Sequence, residues 1–89
     1  MSKKIWKFTF PVTNRSDIPM PKGAKLLSVQ RQDGDICVWA LVDPVAPTET
    51  RRFAVYGTGQ LVPDDPGAYV GTVQQLDGRL VWHVFEVPA

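Results

Sequence analysis

The stretch Ala24-Lys-Leu-Leu-Ser-Val-Gln-Arg-Gln32, Asp33-Gly34-Asp35, Ile36-Cys-Val-Trp-Ala-Leu-Val42 decides the fold class. Asp-Gly is the residue pair that takes positive φ at both centres of a two-residue turn, the strongest short-range hairpin signal. A strand over residues 24–32 therefore turns at Asp33-Gly34 and returns over residues 36–42. The return strand is apolar at consecutive positions, which predicts a central place with both faces covered. Asp43-Pro44 ends it, and Val45-Ala-Pro-Thr-Glu49 reads as a loop.

The pattern continues on both sides of this hairpin. Thr50 to Tyr56 is a strand, with Phe53 and Val55 on one face and Ala54 and Tyr56 on the other. Gly57-Thr58-Gly59 bends or breaks it. Pro63-Asp64-Asp65-Pro66-Gly67 is built from turn formers, with room for a single helical turn near residues 63–68. Tyr69 to Gln75 is a strand, Asp77-Gly78 a second turn of the same chemistry, and Leu80 to Val87 a last strand apolar on both faces. Upstream, Ile5 to Val12 alternates: Trp6, Phe8, Phe10 and Val12 point one way, Lys7 and Thr9 the other. Pro11 frays that strand or places it at an edge. Residues 13–23 read as a connector, in which Pro19 and Pro21 exclude a regular helix and favour an extended path.

These readings give about six strands and no segment of helical period. The expectation is one all-β domain over residues 1–89, a compact antiparallel β-sandwich or small barrel. Two strands apolar on both faces are many for such a chain. Either the sheet closes tightly or an apolar face is buried against another subunit, so a homo-oligomer is expected.

The bulk composition bounds the function. Eighty-nine residues leave room for one core. A net charge of +1 argues against a nucleic-acid binder driven by bulk charge. The charge is nevertheless uneven: residues 1–31 hold seven basic side chains and the single acid Asp17, and the remainder holds three arginines and eight carboxylates. Strands distant in sequence are expected to mix these charges; a binding surface is the alternative. One cysteine, Cys37, rules out an intrachain disulfide and fits a reducing cytoplasm. Met1-Ser-Lys-Lys-Ile-Trp6 leads into an alternating pattern and not an apolar block, so no signal peptide is expected, and no apolar run reaches membrane-spanning length.

The residues that could carry chemistry are few. His83 is the sole histidine and reads as a core-edge side chain satisfied by one hydrogen bond. Cys37, beside Val38 and Trp39, reads as a small buried hydrophobe with an inert thiol; a Cys37–His83 nucleophile pair has no local support. Asp64-Asp65 between two prolines serves a turn, and no metal-ligand spacing is present. Gly57-Thr58-Gly59 reads as a bend or bulge; its alternative is a backbone that approaches a ligand closely. Arg51 and Arg52 point to opposite strand faces, so at most one joins any single site. An arginine fork with an aromatic suits a phosphate, which makes Arg51, Arg52, Thr58 and Tyr69 the candidate ligand-binding residues. Trp6, Trp39 and Trp82 read as core; in sequence only Trp6 has basic neighbours, Lys4 and Lys7, which point away from it.

The segments Met20-Pro-Lys-Gly-Ala-Lys-Leu-Leu-Ser-Val29, Cys37-Val-Trp-Ala-Leu-Val-Asp-Pro44, Arg52-Phe53, Gly57-Thr58-Gly59, Tyr69-Val-Gly-Thr-Val73 and Val81-Trp-His-Val-Phe-Glu86 together resemble a family of short uncharacterised proteins. That family is found in phages, prophages and their bacterial hosts. The resemblance runs over nearly the whole chain from Ile5 and implies a context, with no activity and no site residues. Small phage proteins of this kind are often accessory factors, and some block host defence by binding a defence protein or by sequestering a nucleotide signal. The expected function is a non-enzymatic binding protein without a cofactor, acting in the cytoplasm on a host protein or a small phosphorylated, nucleotide-like ligand. A structural or assembly protein is the alternative, and a nucleic-acid binder using the basic N-terminal third is a second.

Overall fold

The computed structural model describes residues 2–89. Seven strands follow one another: β1 Lys4–Phe10, β2 Arg15–Pro21, β3 Lys25–Gln32, β4 Asp35–Val42, β5 Thr48–Gly57, β6 Ala68–Gln75 and β7 Leu80–Val87. They form two antiparallel sheets, ordered β1-β4-β3 and β2-β5-β7-β6. The short dimension of the molecule is 16 Å, the thickness of two stacked layers. The architecture is a sandwich and not a closed barrel. The 63–68 stretch forms no helical turn.

Asp33 and Gly34 both have positive φ, 53° and 85°, so the β3–β4 hairpin closes on the two-residue turn that its sequence demands. The β6–β7 hairpin differs. Gln75 pairs with Leu80, leaving the four residues 76–79 in the loop, and Leu76 and Asp77 take positive φ together with Gly78. The two added residues relative to the expected Asp77-Gly78 turn are Leu76, which is exposed, and Arg79.

The seventh strand is β2. Its sequence, Arg-Ser-Asp-Ile-Pro-Met-Pro, pairs along its whole length with β5, from Arg15 opposite Ala54 to Pro21 opposite Thr48. Prolines are admitted because β2 lies at an edge, where a missing N–H breaks no ladder. The connector is thus an edge strand that anchors Met20 and Ile18 against the core.

The core lies between the sheets. Phe10, Ile36, Val38, Ala40 and Val42 come from one layer, and Met20, Phe53, Val55, Val73 and Val84 from the other. Phe10 and Phe53 stack across the interface with centroids 5.2 Å apart. Trp82 faces this interior and its indole N–H donates to Gln75 Oε1 at 2.8 Å. Trp39 does not: its register opposite Lys7 and Ser28 sets it on the outer face of the β1-β4-β3 sheet. Trp6 is on the inner face but at the rim, 38% exposed.

Along one side the sandwich nearly closes, because β3 and β6 run edge to edge. Arg31 Nε donates to the Gln74 carbonyl at 3.2 Å and Gln75 Nε2 to the Gly34 carbonyl at 3.3 Å. The approach is tightest at Gly71, where a Cβ would sit 2.2 Å from Val29 Cγ1. Gly71→Ala is expected to cost about 2 kcal/mol by overpacking. Val29→Ala in the same chain should recover most of that cost. A double-mutant cycle by urea unfolding checks the coupling.

Candidate functional site

The four ligand-binding candidates do not converge on one point. Arg51 projects to the inner side and forms a two-pronged ion pair with Glu86, through Nε to Oε2 and through Nη2 to Oε1 at 2.9 Å. Its Nη1 donates to the Ala24 carbonyl at 2.7 Å. Arg51 therefore ties the β2–β3 corner to β7.

Arg52 projects to the outer side and makes a two-pronged pair with Asp17, at 2.7 and 3.1 Å. The hydrogen bond from Arg52 holds the Asp17 carboxyl below its ordinary value of 3.8; slight desolvation opposes this, and the charges of Arg52 and Arg15 reinforce it. Because the folded-state pKa is depressed, the pair's contribution is fully present above 3.8 and is lost as pH falls through the lowered value. Asp17→Asn is expected to remove that part of the acid-induced loss of stability. Urea midpoints measured from neutral pH into the range below 3.8 check it.

Thr58 and Tyr69 belong to a single network on the outer face of β7. Thr58 Oγ1 bonds His83 Nε2 at 2.8 Å, Thr72 Oγ1 bonds His83 Nδ1 at 3.1 Å, and the Tyr69 and Thr72 hydroxyls share a hydrogen bond. His83 thus has two partners, one on each ring nitrogen. Tyr69 and Tyr56 also pack edge-on to Phe85, at 5.5 and 6.0 Å.

The topology explains this cluster. β5 and β6 both pair antiparallel with β7, so they are parallel to one another and the 58–67 segment must cross β7. It does so on the outer side: Thr58 meets His83, and Pro63 and Asp65 line a cleft with Arg15 and Val87. Ala54 and Tyr56, on the outward face of β5, are 0% and 9% exposed. Gly57 lies against the Trp82 ring, so the close neighbour of the Gly-Thr-Gly bend is an indole. Asp65 Oδ1 accepts from the Gly67 N–H and serves the turn. Among the described residues no group of His, Cys, Asp or Glu could hold a metal ion.

The other outer face has no such cover. On the β1-β4-β3 sheet, Leu41 sits between Ile5 and Lys25, and Trp39 between Lys7 and Ser28. A bulge between Leu26 and Ser28 places the extra residue, Leu27, opposite Trp39. Ile5 is 61% and Leu27 46% exposed, and Trp39 and Leu41 are half-buried. Cys37 is on this face yet 1% exposed. Gln32 Oε1, which accepts from Lys7 Nζ at 2.8 Å, also lies 3.8 Å from the Cys37 sulfur, so the two side chains arch over the thiol. Cys37 and His83 sit on opposite outer surfaces and form no pair.

The result is a strip of Ile5, Leu27, Trp39 and Leu41 flanked by Lys7 and Lys25. The central strand, Asp35–Val42, carries one carboxylate, the exposed Asp35 at its hairpin end, and none between Ile36 and Val42 where the strip lies. Three carboxylates of the chain are engaged elsewhere, Asp17 with Arg52, Glu86 with Arg51, and Glu49 with the Gly23 N–H. Charge pairing between distant strands is therefore real on the other sheet, whereas Lys7 and Lys25 make no ion pair among the described residues. The doubly apolar run 36–42 predicted cover on both faces; the strand is central, but only its inner face is covered, by the second sheet, and Trp39 and Leu41 stay half-buried on the outer one.

A family model described as a domain of unknown function, DUF7352, matches residues 1–89. The chain belongs to that family. No curated protein and no solved structure matches it. The family membership agrees with the resemblance to short uncharacterised proteins and brings no site residues, so the functional reading rests on the surface itself. No helix among the described residues is long and apolar enough to cross a membrane.

Proposed function

We propose that this domain is a non-enzymatic binding protein that takes a protein partner on the outer face of its β1-β4-β3 sheet. The observation that carries the reading is the uncovered strip Ile5–Leu27–Trp39–Leu41 with Lys7 and Lys25 beside it. A single exposed apolar side chain is ordinary, but a contiguous set around a tryptophan, with lysines beside it, has the composition of an interface core and rim. The sign of that charge specifies a partner surface that is apolar with acidic flanks. The resemblance to short proteins of phages, prophages and their hosts gives the setting: an accessory protein in the cytoplasm that acts on a host protein, such as one of its defence factors.

A small phosphorylated ligand has less support, because Arg51 and Arg52 both already hold carboxylates. Single-stranded nucleic acid has less support than protein, since the strip is mostly aliphatic and stacking needs exposed rings.

Leu27→Asp tests the reading against Leu61→Asp, which alters an equally apolar side chain, 94% exposed, on the 58–67 crossover. Both variants are expected to fold. Co-purification of a defined partner should be lost with Leu27→Asp and kept with Leu61→Asp. Equal retention by both, or equal loss, contradicts the assignment of the face.

A further inference from the structure

Two sheets have four edges, and three of them are protected. β3 and β6 lie against each other, bridged by Arg31 and Gln75 and in contact at Gly71. β2 carries Pro19 and Pro21, which offer no N–H to an incoming strand. The fourth edge, β1, has no proline and scarcely touches β2. Its first four residues, Lys4 to Lys7, are all exposed. A strand in that position presents a row of backbone N–H and C=O groups ready to pair.

We infer that β1 accepts an extended, acidic segment of a partner protein as a fourth strand of its sheet. This rests on the reading of the same face given above and adds the mode of contact and the class of sequence recognised. A second copy of this chain is the poorer occupant. Laying β1 against β1 brings two lysines from each copy onto one ladder, with no acid to answer them. An acidic segment turns the same lysines into attractions.

The register specifies the segment further. Lys4 is on the face of Val42 and Lys7 on the face of Trp39, so the two lysines project to opposite sides of the sheet. An antiparallel strand that runs opposite Phe8, Lys7, Trp6, Ile5 and Lys4 in turn therefore reads apolar, acidic, apolar, apolar, acidic. Ladder hydrogen bonds supply affinity and the alternating side chains supply selectivity.

The probe is a capped peptide, Thr-Val-Glu-Val-Val-Glu-Thr, added to the full isotope-labelled chain and followed by amide hydrogen exchange. Alternate amides between Lys4 and Phe10 should slow when the peptide binds. A peptide with Lys in place of Glu should bind about tenfold more weakly, the scale of two surface pairs turned from attraction to repulsion. The chain carrying Lys4→Glu and Lys7→Glu should reverse that preference. A peptide with N-methylated backbone amides should not bind, since it cannot form the ladder. The inference is overturned if the N-methylated peptide binds equally or if the protected amides lie outside β1. It is equally overturned if a single-stranded oligothymidine protects β1 and the peptide does not. Loss of partner by Leu27→Asp with no protection of β1 would leave the face assignment standing and remove strand addition alone.

Discussion

Phe53→Ala is expected to lower stability by about 4 kcal/mol, the cost of emptying a fully buried aromatic site. Phe53 is 0% exposed and stacks on Phe10 at 5.2 Å, so it is the side chain through which the two layers meet. The surrounding residues cannot collapse into the gap, because they belong to paired strands whose backbone positions are fixed by their ladders. A small domain has about 5–15 kcal/mol in all, so this one substitution removes a large share. Urea unfolding followed by tryptophan fluorescence measures it. A loss below about 0.5 kcal/mol, the usual range of a surface substitution, would mean that the sheets are not packed as described.

The second large effect separates two adjacent arginines. Arg51→Ala is expected to cost about 2 kcal/mol, reduced from the value for a fully buried pair because both side chains keep some solvent contact. The loss arises because Glu86 and the Ala24 carbonyl are left without their donor in a partly closed site, where Arg51 and Glu86 side chains are 15% and 23% exposed. Arg52→Ala should leave the urea midpoint at neutral pH nearly unchanged, since its pair with Asp17 is open to solvent. Arg51→Met with Glu86→Leu should regain most of what the single substitution loses. If Arg51→Ala were neutral for stability, its place would be that of a ligand-binding group and not of a brace.

The fold was legible where local chemistry is decisive. Asp33-Gly34 specified its hairpin, and the alternation from Trp6 to Phe10 specified the inward face of β1. Leu80 to Val87 was readable to the residue. β2 was hidden because prolines suppress the strand signal, and only its edge position makes them acceptable. The faces of β3 were hidden by Leu26-Leu27, where a bulge interrupts the two-residue period. Ala54 and Tyr56 were readable only as the face opposite Phe53 and Val55; their burial comes with a crossover, required by parallel β5 and β6, that no local pattern announces.

The candidate site was less legible, for a related reason. Arg51 and Arg52 were correctly set on opposite faces, but their carboxylate partners lie 35 residues away along the chain, out of reach of any local pattern. His83 was read as a core-edge side chain with one hydrogen bond; it has two, because threonine partners arrive from β6 and from the crossover. Trp39 has no basic neighbour in sequence; the β1–β4 register alone brings Lys7 beside it. The binding strip is a product of cross-strand pairing.

The most direct test of that strip is site-specific photo-crosslinking in cells of the source organism. Leu27→p-benzoylphenylalanine places the reactive group on the β1-β4-β3 face, and Tyr69→p-benzoylphenylalanine places it on the opposite sheet, at a side chain of comparable exposure. A discrete protein adduct from position 27, absent from position 69 and abolished by Trp39→Ala in a chain that still folds, is the predicted result. An adduct from position 69 alone, or one from position 27 that survives Trp39→Ala undiminished, would contradict it.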